Sequence, residues 1–202
     1  MENKKIYIEI GSNTGTDTDK FVSNNSILYC FEPAMEIAFN LWQRYKDNDN
    51  VIVLPFAIDV ESCIKKFNIA GSANWGCSSL NVFSPDIHSK WPNRPDFKFT
   101  DSYVVPTITL YDFITLYKIE YIDYLWIDAQ GHDFNVIKSL KNKISIVKEG
   151  RCEAAYNISL YDGADNDYKN ITAYLELNNF TTKIEVDKSG ISAECDILFK
   201  QK

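Results

Sequence analysis

The sequence lacks the features of a secreted or membrane-spanning protein. Its five cysteines are scattered along 202 residues with no Cys-x-x-Cys pair, and this usage favours reduced thiols in a cytoplasm-like compartment. No N-terminal stretch shows the basic, apolar and small-residue order of a signal peptide. No apolar run approaches the roughly 18 residues that a membrane-spanning helix requires. We therefore expect a cytoplasmic protein without a membrane span.

The sequence is also short of positive charge. It has 21 lysines and arginines against 28 aspartates and glutamates, which gives a formal net charge of -7. Because a nucleic-acid partner requires basic surface for its phosphates, this balance argues against one and fits a neutral or weakly charged substrate. The length predicts one compact domain over residues 1–202, either a minimal enzyme or one module of a larger protein.

The first informative stretch is Lys5–Thr16, in which an apolar, β-branched run leads into Glu9, Gly11 and Gly15. Such a run followed by glycines is typical of a buried parallel strand that turns into a helix beside a ligand. The spacing Glu-x-Gly-x-x-x-Gly lacks the closer glycines of the dinucleotide fingerprint. An acid here would repel a pyrophosphate but suit a cation. The stretch therefore favours S-adenosylmethionine as the cofactor, with an ordinary strand-to-helix turn as the alternative.

Glu32 ends the second predicted strand, roughly 20 residues after the glycines. A carboxylate at this position of a βαβ unit can accept hydrogen bonds from both hydroxyls of a ribose. The alternative is an acid that only stabilises the start of the next helix. Ala57 and Ile58 follow the third strand and are candidates for the adenine side of the same site, or for core packing.

Apolar residues recur in a pattern of alternating strands and helices, which indicates an α/β fold with a mostly parallel sheet. The predicted helices are Thr16–Asn24, Ala34–Lys46, Thr107–Lys118, Phe134–Leu140 and Ile171–Leu177. In the second helix, the apolar residues expected to face the sheet are Met35, Ala38, Phe39 and Trp42. The predicted later strands are Ile27–Phe31, Val51–Ile58, Ser62–Ile69, Tyr121–Ile127, Lys143–Val147, Phe180–Val186 and Cys195–Phe199, of which the last two form an antiparallel hairpin.

Residues 70–106 interrupt this alternation with a stretch rich in Gly, Ser, Asn, Pro and aromatic residues. A long irregular stretch inside a compact domain is usually a binding loop, so we expect a substrate-side insertion. Trp75, which precedes Ser78 and Ser79, is the best candidate for a substrate contact. Most other aromatic residues of the insertion are expected to form a small satellite core.

The second informative stretch is Tyr121–Asp133. Its strand delivers Asp128 at the carboxyl end, where open parallel sheets bind their ligands. Asp128, Gln130, His132 and Asp133 follow one another within one turn. Such a polar group at a sheet edge costs free energy unless it is satisfied, so a functional role is favoured.

Taken together, these motifs resemble those of the FkbM-type methyltransferases. The resemblance rests on Ile8–Gly15, Cys30–Pro33, Ser78–Leu80 and Tyr121–Gly131. It implies a class I, Rossmann-like methyltransferase fold with helices on both faces of the sheet, and S-adenosylmethionine-dependent methyl transfer to a hydroxyl of a sugar or other natural product. The family more often has Asp at the place of Glu9, and Asp-x-Glu-Gly-x-Glu where this chain has Asp128–Asp133.

The candidate site follows from these motifs and from the resemblance. The expected cofactor contacts are Glu9, Gly11, Ser12, Asn13, Thr14, Gly15, Phe31, Glu32, Pro33, Ala57, Ile58 and Asp128. The expected acceptor contacts are Trp75, Ser78, Ser79, Gln130 and Glu153. Asp128 or His132 is the candidate general base, and His132 is favoured because an ordinary imidazole titrates near neutral pH.

Two alternatives stay open at this point. Asp128 and Glu153, at the ends of neighbouring strands, could hold Mg²⁺ against the substrate hydroxyls. The chain could also be a cofactor-binding domain without catalysis, because Gln130 removes a charge that the family motif carries. The sequence leaves the oligomeric state and the identity of the acceptor undetermined.

Overall fold

The computed structural model describes residues 4–70, 75–186 and 193–202. Its strands are β1 (Lys5–Ile10), β2 (Ser26–Phe31), β3 (Val51–Leu54), β4 (Ala57–Ile58), β5 (Ile64–Ile69), β6 (Val82–Phe83), β7 (Asp101–Ile108), β8 (Tyr124–Ile127), β9 (Glu149–Ala155), β10 (Tyr161–Asp162), β11 (Phe180–Val186) and β12 (Glu194–Gln201). Its α-helices are α1 (Met35–Tyr45), α2 (Ile87–Lys90), α3 (Leu110–Leu116), α4 (Asp133–Ser139) and α5 (Tyr168–Leu177). Short 3-10 helices cover Thr18–Lys20, Trp75–Cys77 and Lys141–Ile146.

A seven-stranded sheet in the order β3-β2-β1-β8-β9-β12-β11 forms the centre of the fold. The first five strands of this order are parallel to their neighbours, whereas β12 runs antiparallel to both β9 and β11. The predicted α/β fold, with a mostly parallel sheet and a C-terminal antiparallel hairpin, is therefore confirmed. Since β2, β1 and β8 are adjacent and parallel, their carboxyl ends meet at one edge.

Helices cover both faces of this sheet, as a mostly parallel sheet requires. Leu28 and Cys30 of β2 pack against Leu41 of α1. The alternate residues Tyr29 and Phe31 point to the opposite face, where both rings contact Phe113 of α3 edge-on. The same face carries α4 and α5, whose Val136 and Ile171 are fully buried there.

A smaller sheet in the order β4-β7-β5 lies beside the central one. Phe67 and Val105 from this sheet pack against Ala34 and Ile37 at the start of α1. The predicted insertion over 70–106 holds β6, α2 and most of β7. Four of its aromatic residues form a satellite core with Tyr161; they are Phe83, Trp91, Phe97 and Phe99.

None of the helices in the described ranges combines the length and the apolar character that a membrane span requires.

Several predicted elements differ in the structure. The helix expected over Thr16–Asn24 shrinks to the 3-10 turn Thr18–Lys20, and the strand expected over Val51–Ile58 divides into β3 and β4. In the first case, the chain turns towards β2 after Phe21, whose carbonyl accepts a hydrogen bond from Ser26 Oγ at 2.9 Å instead of from a further helical turn. In the second case, Ala57 and Ile58 leave the central sheet and pair with β7 instead.

The segment Lys143–Val147, expected to begin a strand, lies mostly in the 3-10 helix Lys141–Ile146. Its alternating apolar residues imitate a strand, but Lys141 is left-handed and restarts a helical turn directly after α4. The sheet strand begins later, at Glu149. The helix predicted over Thr107–Lys118 is present as α3. Thr109 caps this helix by accepting a hydrogen bond from the Asp112 N–H at 2.9 Å.

The face of α1 that packs on the sheet was predicted wrongly except at Ala38. The residues that pack are Ile37, Ala38, Leu41 and Tyr45. Met35, Phe39 and Trp42 are instead 59%, 57% and 48% exposed. Both sets recur with helical spacing, so the sequence offers two apolar stripes, and packing against the sheet selects the first set.

Candidate active site

A cavity opens at the carboxyl edge formed by β1, β2 and β8. Its lining joins four separate parts of the chain: Gly11 with Asn13, Phe31–Pro33, Phe56–Ile58, and Asp128–Gln130 with His132. Gly76, Ser78 and Leu80 of the insertion close one side. The parallel arrangement therefore brings the two informative stretches of the sequence to one place.

Gly11 is required by the close approach of two chain segments. It is left-handed, with φ +78°, and a Cβ at this position would lie 1.9 Å from the carbonyl oxygen of Asp128. Gly15 has φ +84°, and its Cβ would lie 2.6 Å from Leu41 Cδ1. Both glycines serve the turn, but only Gly11 lines the cavity.

Glu32 projects into the cavity from the end of β2 and is 5% exposed. Its Oε2 accepts a hydrogen bond from the Asn13 N–H and its Oε1 one from the Ala34 N–H, each at 2.8 Å. Each carboxylate oxygen has a further lone pair, so both can accept another hydrogen bond. Burial raises the pKa of Glu32 to about 7, against the lowering effect of the two backbone donors.

The lining fits the adenosine part of S-adenosylmethionine. Glu32 offers two acceptor positions for the ribose hydroxyls, and Phe56–Ile58 provide an apolar wall for a base. The Oδ1 atom of Asn13 is buried without a hydrogen-bond partner among the described residues, which leaves an acceptor for a ligand donor. The absence of a side chain at Gly11 keeps open the space next to Asp128.

Glu9, although it was predicted to contact the cofactor, does not line the cavity. It is 1% exposed, its Oε2 accepts a hydrogen bond from Thr18 Oγ1 at 2.6 Å, and burial raises its pKa. Ser12, Thr14 and Gly15 are likewise outside the lining, so Glu9 and these residues shape the turn that carries Gly11 and Asn13.

Asp128 lies where β8 ends and faces the cavity. Burial raises the pKa of its carboxyl, whereas a hydrogen bond from Gln130 and the charge of Arg151 lower it. Gln130 Nε2 donates this bond to Asp128 Oδ1 at 2.5 Å. The predicted pair thus meets side by side at the cavity, with a carboxyl that is easier to protonate than an ordinary aspartate.

His132 also lines the cavity, but both of its ring nitrogens are near protein partners. Nε2 lies 2.9 Å from Asp59 Oδ1, and Nδ1 lies 3.4 Å from Asn81 Oδ1. Asp59 in turn pairs with Lys65. Although burial raises the pKa of Asp59, hydrogen bonds from His132 and Lys65 outweigh burial and hold it well below its usual range. This network favours a structural role for His132 over that of a free base.

The remaining candidates are dispersed around the cavity. Ser78 lines it and accepts a hydrogen bond from the Ala70 N–H at 3.1 Å, while Ser79 Oγ donates to the Gln130 carbonyl at 2.7 Å. Trp75 begins a 3-10 helix, and its side chain lies outside the described part of the structure. Glu153 lines a separate acidic pocket with Arg151 and is not part of the cavity wall.

The magnesium alternative gains no support from this arrangement. Among residues 4–70, 75–186 and 193–202, no group of three or more His, Cys, Asp or Glu side chains is arranged to hold a metal ion. Asp128 faces the cavity, whereas Glu153 faces the other pocket.

Two residues near the cavity, Asp59 and Tyr161, were not predicted from the sequence. Asp59 follows the third predicted strand, and an acid at a strand end was a usable signal. Tyr161 reaches Gln130 from the short strand β10, with its hydroxyl 3.0 Å from Gln130 Oε1. Nothing in the local sequence around Tyr161 links it to a residue 31 positions earlier.

The sheet order and the cavity at its carboxyl edge define a class I, Rossmann-like methyltransferase. Within that class, the chain belongs to the FkbM methyltransferase domain family, whose model matches residues 9–182. It is accordingly an S-adenosylmethionine-dependent methyltransferase, and this identifies the cavity as the candidate cofactor site.

Solved structures of low sequence identity share the fold. A Streptococcus mutans protein in complex with S-adenosylhomocysteine is 10% identical, with a TM-score of 0.55 over 100% of this chain and 91% of the other. An rRNA methylase from Streptococcus thermophilus is 10% identical, with a TM-score of 0.51 over 100% and 89%. M. capricolum TrmK, with S-adenosylhomocysteine bound, is 11% identical at a TM-score of 0.51; all of this chain matches 64% of that chain. No curated protein matches the sequence.

Proposed function

We propose that the chain transfers a methyl group from S-adenosylmethionine to a hydroxyl of a sugar, a glycan or a related small molecule. The observation that carries this proposal is the position of Asp128. Its carboxyl lies at the cavity, next to the Gly11 turn and across from Glu32, and burial raises its pKa. A base of this kind is what an alcohol acceptor needs and what a more nucleophilic acceptor could do without.

The residues of the site would divide the work as follows. S-adenosylmethionine supplies an electrophilic methyl group when bound. Glu32 and Asn13 would hold the adenosine side of the cofactor, which would fix its position relative to an acceptor bound beside Asp128. Asp128 would take the proton of the acceptor hydroxyl, so that the products are the methyl ether and S-adenosylhomocysteine. A positioned base contributes roughly 10²–10⁴-fold to such a step.

The charge of the chain supports a small acceptor over a nucleic acid. One structural neighbour is an rRNA methylase, but this chain carries a formal charge of -7. Carboxyl groups also dominate the candidate site and the adjoining pocket, where burial and the charge of Asp128 raise the pKa of Glu153 and Glu194. A phosphate backbone would be repelled there. No disulfide joins any of the five cysteines, all of which lie in the described ranges, and this supports a cytoplasmic location.

A second candidate is a domain that binds the cofactor without catalysing transfer. It is favoured by the hydrogen bonds of His132, which leave this side chain occupied, and by Gln130, which replaces a carboxylate of the family motif. In that case the domain would serve a larger glycan-building protein.

Calorimetric titration with S-adenosylhomocysteine, followed by an acceptor screen, tests these candidates. We expect micromolar binding, and mass spectrometry should find a gain of one methyl group on a sugar acceptor with wild type but not with Asp128→Asn. Methylation of RNA alone would overturn the choice of acceptor. Binding without transfer to any acceptor would favour the second candidate, and no binding at all would refute both.

A further inference from the structure

The turn after β8 is held in an unusual backbone conformation by two distant segments. Gln130 has φ +51° and Gly131 φ +80°, so two successive residues are left-handed. Ser79 Oγ donates a hydrogen bond to the Gln130 carbonyl at 2.7 Å. The ring of Tyr161 covers Gly131 so closely that a Cβ there would lie 2.4 Å from Tyr161 Cδ2. The backbone of Gln130 is therefore fixed beside Asp128.

The side chain of Gln130 bridges Asp128 and Tyr161. Its Nε2 donates to Asp128 Oδ1 at 2.5 Å, and its Oε1 accepts from the Tyr161 hydroxyl at 3.0 Å. An ionised carboxylate can only accept hydrogen bonds, so it must face the NH₂ end of the amide. The Oε1 end then needs a donor, and the Tyr161 hydroxyl provides one. The reversed amide would place two acceptor oxygens against each other.

Tyr161 has little freedom to do anything else. It is 3% exposed, and its ring stacks on Phe83 with centroids 5.4 Å apart and an interplanar angle of 13°. Its hydroxyl also lies 3.1 Å from the Cys77 carbonyl oxygen. The ring packing therefore fixes the position of the hydroxyl oxygen, and its single hydrogen lies within reach of both Gln130 Oε1 and the Cys77 carbonyl oxygen. When this hydrogen points to Gln130, it sets the direction of the amide.

We propose that Tyr161 is a positioning residue of the active site, which acts by orienting the Gln130 amide so that it donates to Asp128. The proposal rests on the proposed function in so far as Asp128 serves as the base. It also accounts for Gln130: a glutamate there would still accept from Tyr161, but it would set a second carboxylate against Asp128.

The first test observes the Gln130 side-chain amide by NMR in the free protein. The signal is assigned by its loss in Gln130→Glu. Tyr161→Phe keeps the ring, its stacking on Phe83 and its contact with Gly131, and removes only the hydroxyl. We expect hydrogen exchange of the Gln130 amide protons to become on the order of tenfold faster in Tyr161→Phe. The matched control Tyr174→Phe, on α5, should leave the signal unchanged. If the exchange rate of the Gln130 amide is unchanged in Tyr161→Phe, the Tyr161 hydroxyl does not orient Gln130, and the proposal is overturned.

The second test measures methyl transfer to the sugar acceptor found in the screen. Tyr161→Phe should lower kcat about tenfold and leave the KM for S-adenosylmethionine within about twofold. If Tyr161 acts through Gln130, adding Tyr161→Phe to Gln130→Leu should cause no further loss. Additive losses would overturn the proposal. Failure of wild type to bind S-adenosylhomocysteine would instead refute the proposed function, and the NMR comparison would still decide the role of Tyr161.

Discussion

The two ends of the central sheet use charge in opposite ways. At the amino end, charged side chains are exposed and paired, as in Lys148 with Asp123 at 2.6 Å and Lys200 with Glu149 at 3.5 Å. At the carboxyl end, Glu32 and Asp133 are buried and Asp128 is partly buried, and the loss of solvent raises the pKa of each. None of these three forms an ion pair with another described residue.

This difference shows which end has been adapted to bind a ligand. Burying carboxyl groups without a cation destabilises the folded protein unless something compensates. S-adenosylmethionine carries a sulfonium and an ammonium group, so its binding would supply positive charge where the protein has little. The amino end is a solvated surface, whose ion pairs contribute little to stability or function.

Among the variants that compare the two ends of the sheet, Gly11→Ala is expected to have the largest effect on stability. The new Cβ would collide with the Asp128 carbonyl, and φ +78° is strained for alanine, so the carboxyl ends of β1 and β8 would have to separate. We expect a loss of about 3 kcal/mol or more in the free energy of unfolding, measured with urea. Gly163→Ala is the matched control, because Gly163 is also left-handed, with φ +62°, but a Cβ added there would meet no atom within 4 Å. It should lose only about 1 kcal/mol, and equal losses would contradict the close approach as the cause.

Glu32→Gln should weaken S-adenosylhomocysteine binding about 100-fold, because one acceptor oxygen becomes a donor. Calorimetry measures the change. Glu36→Gln, at an exposed position in the first turn of α1, serves as the control and should bind like wild type. Equal affinity of Glu32→Gln and wild type would place the ribose elsewhere.

The stability of the free protein should rise as the pH falls from 8 to 6. The pKa values of Glu32 and Asp133 are each raised to about 7 in the folded state, above their unfolded values, so the folded state binds more protons in this range. Stability is therefore gained on acidification through the folded pKa and levels off below the unfolded pKa. We expect about 1 kcal/mol for each group, measured by chemical unfolding at each pH.

Asp133→Asn provides the control for this pH dependence. Asp133 is fully buried, and its Oδ1 accepts hydrogen bonds from the Ala129 and Glu153 N–H groups at 3.4 and 3.2 Å, so asparagine can keep both. The variant should gain about 1 kcal/mol less than wild type between pH 8 and 6, because it lacks only the contribution of Asp133. A wild-type stability that falls between pH 8 and 6 would contradict the assignment of raised pKa values to this end of the sheet.

The smallest effect is expected at the amino end. Lys148→Ala removes the partner of Asp123, but the lysine side chain is 56% exposed, and Asp123 Oδ2 still accepts from the Ile6 N–H at 2.8 Å. Unfolding should change by less than about 0.5 kcal/mol. A loss as large as that of Gly11→Ala would remove the distinction between the two ends.

The sequence was most informative where chemistry and local pattern coincide. Glu32 and Asp128 each end a run of apolar residues, and a strand that ends in an acid predicts both the strand and the edge at which the acid lies. Gly11 could also be predicted from the local pattern, since it directly follows a strand. In the structure, two chain segments approach too closely there for a residue with a side chain.

Other features depended on packing that no local pattern records. Phe39 and Trp42 are three residues apart and Leu41 and Tyr45 are four apart, and both spacings place a pair on one helix face. Only packing against the sheet decides which pair is buried. Tyr161 contacts Gln130 because β10, after β9, pairs with β6 of the insertion. That pairing joins segments far apart in sequence, so the contact could not be read from either segment.

The central position of β1 has a consequence for how the protein folds. On one side it pairs with β2, about 20 residues along the chain, but on the other side it pairs with β8, and the Ile6 N–H bonds to Asp123, 117 residues later. Closing so long a loop is entropically costly and tends to come late in folding. The half of the cavity around Glu32 can therefore assemble early, whereas Asp128 joins it only after most of the chain has been synthesised. A growing chain on the ribosome would complete the cofactor site only after β8 has emerged.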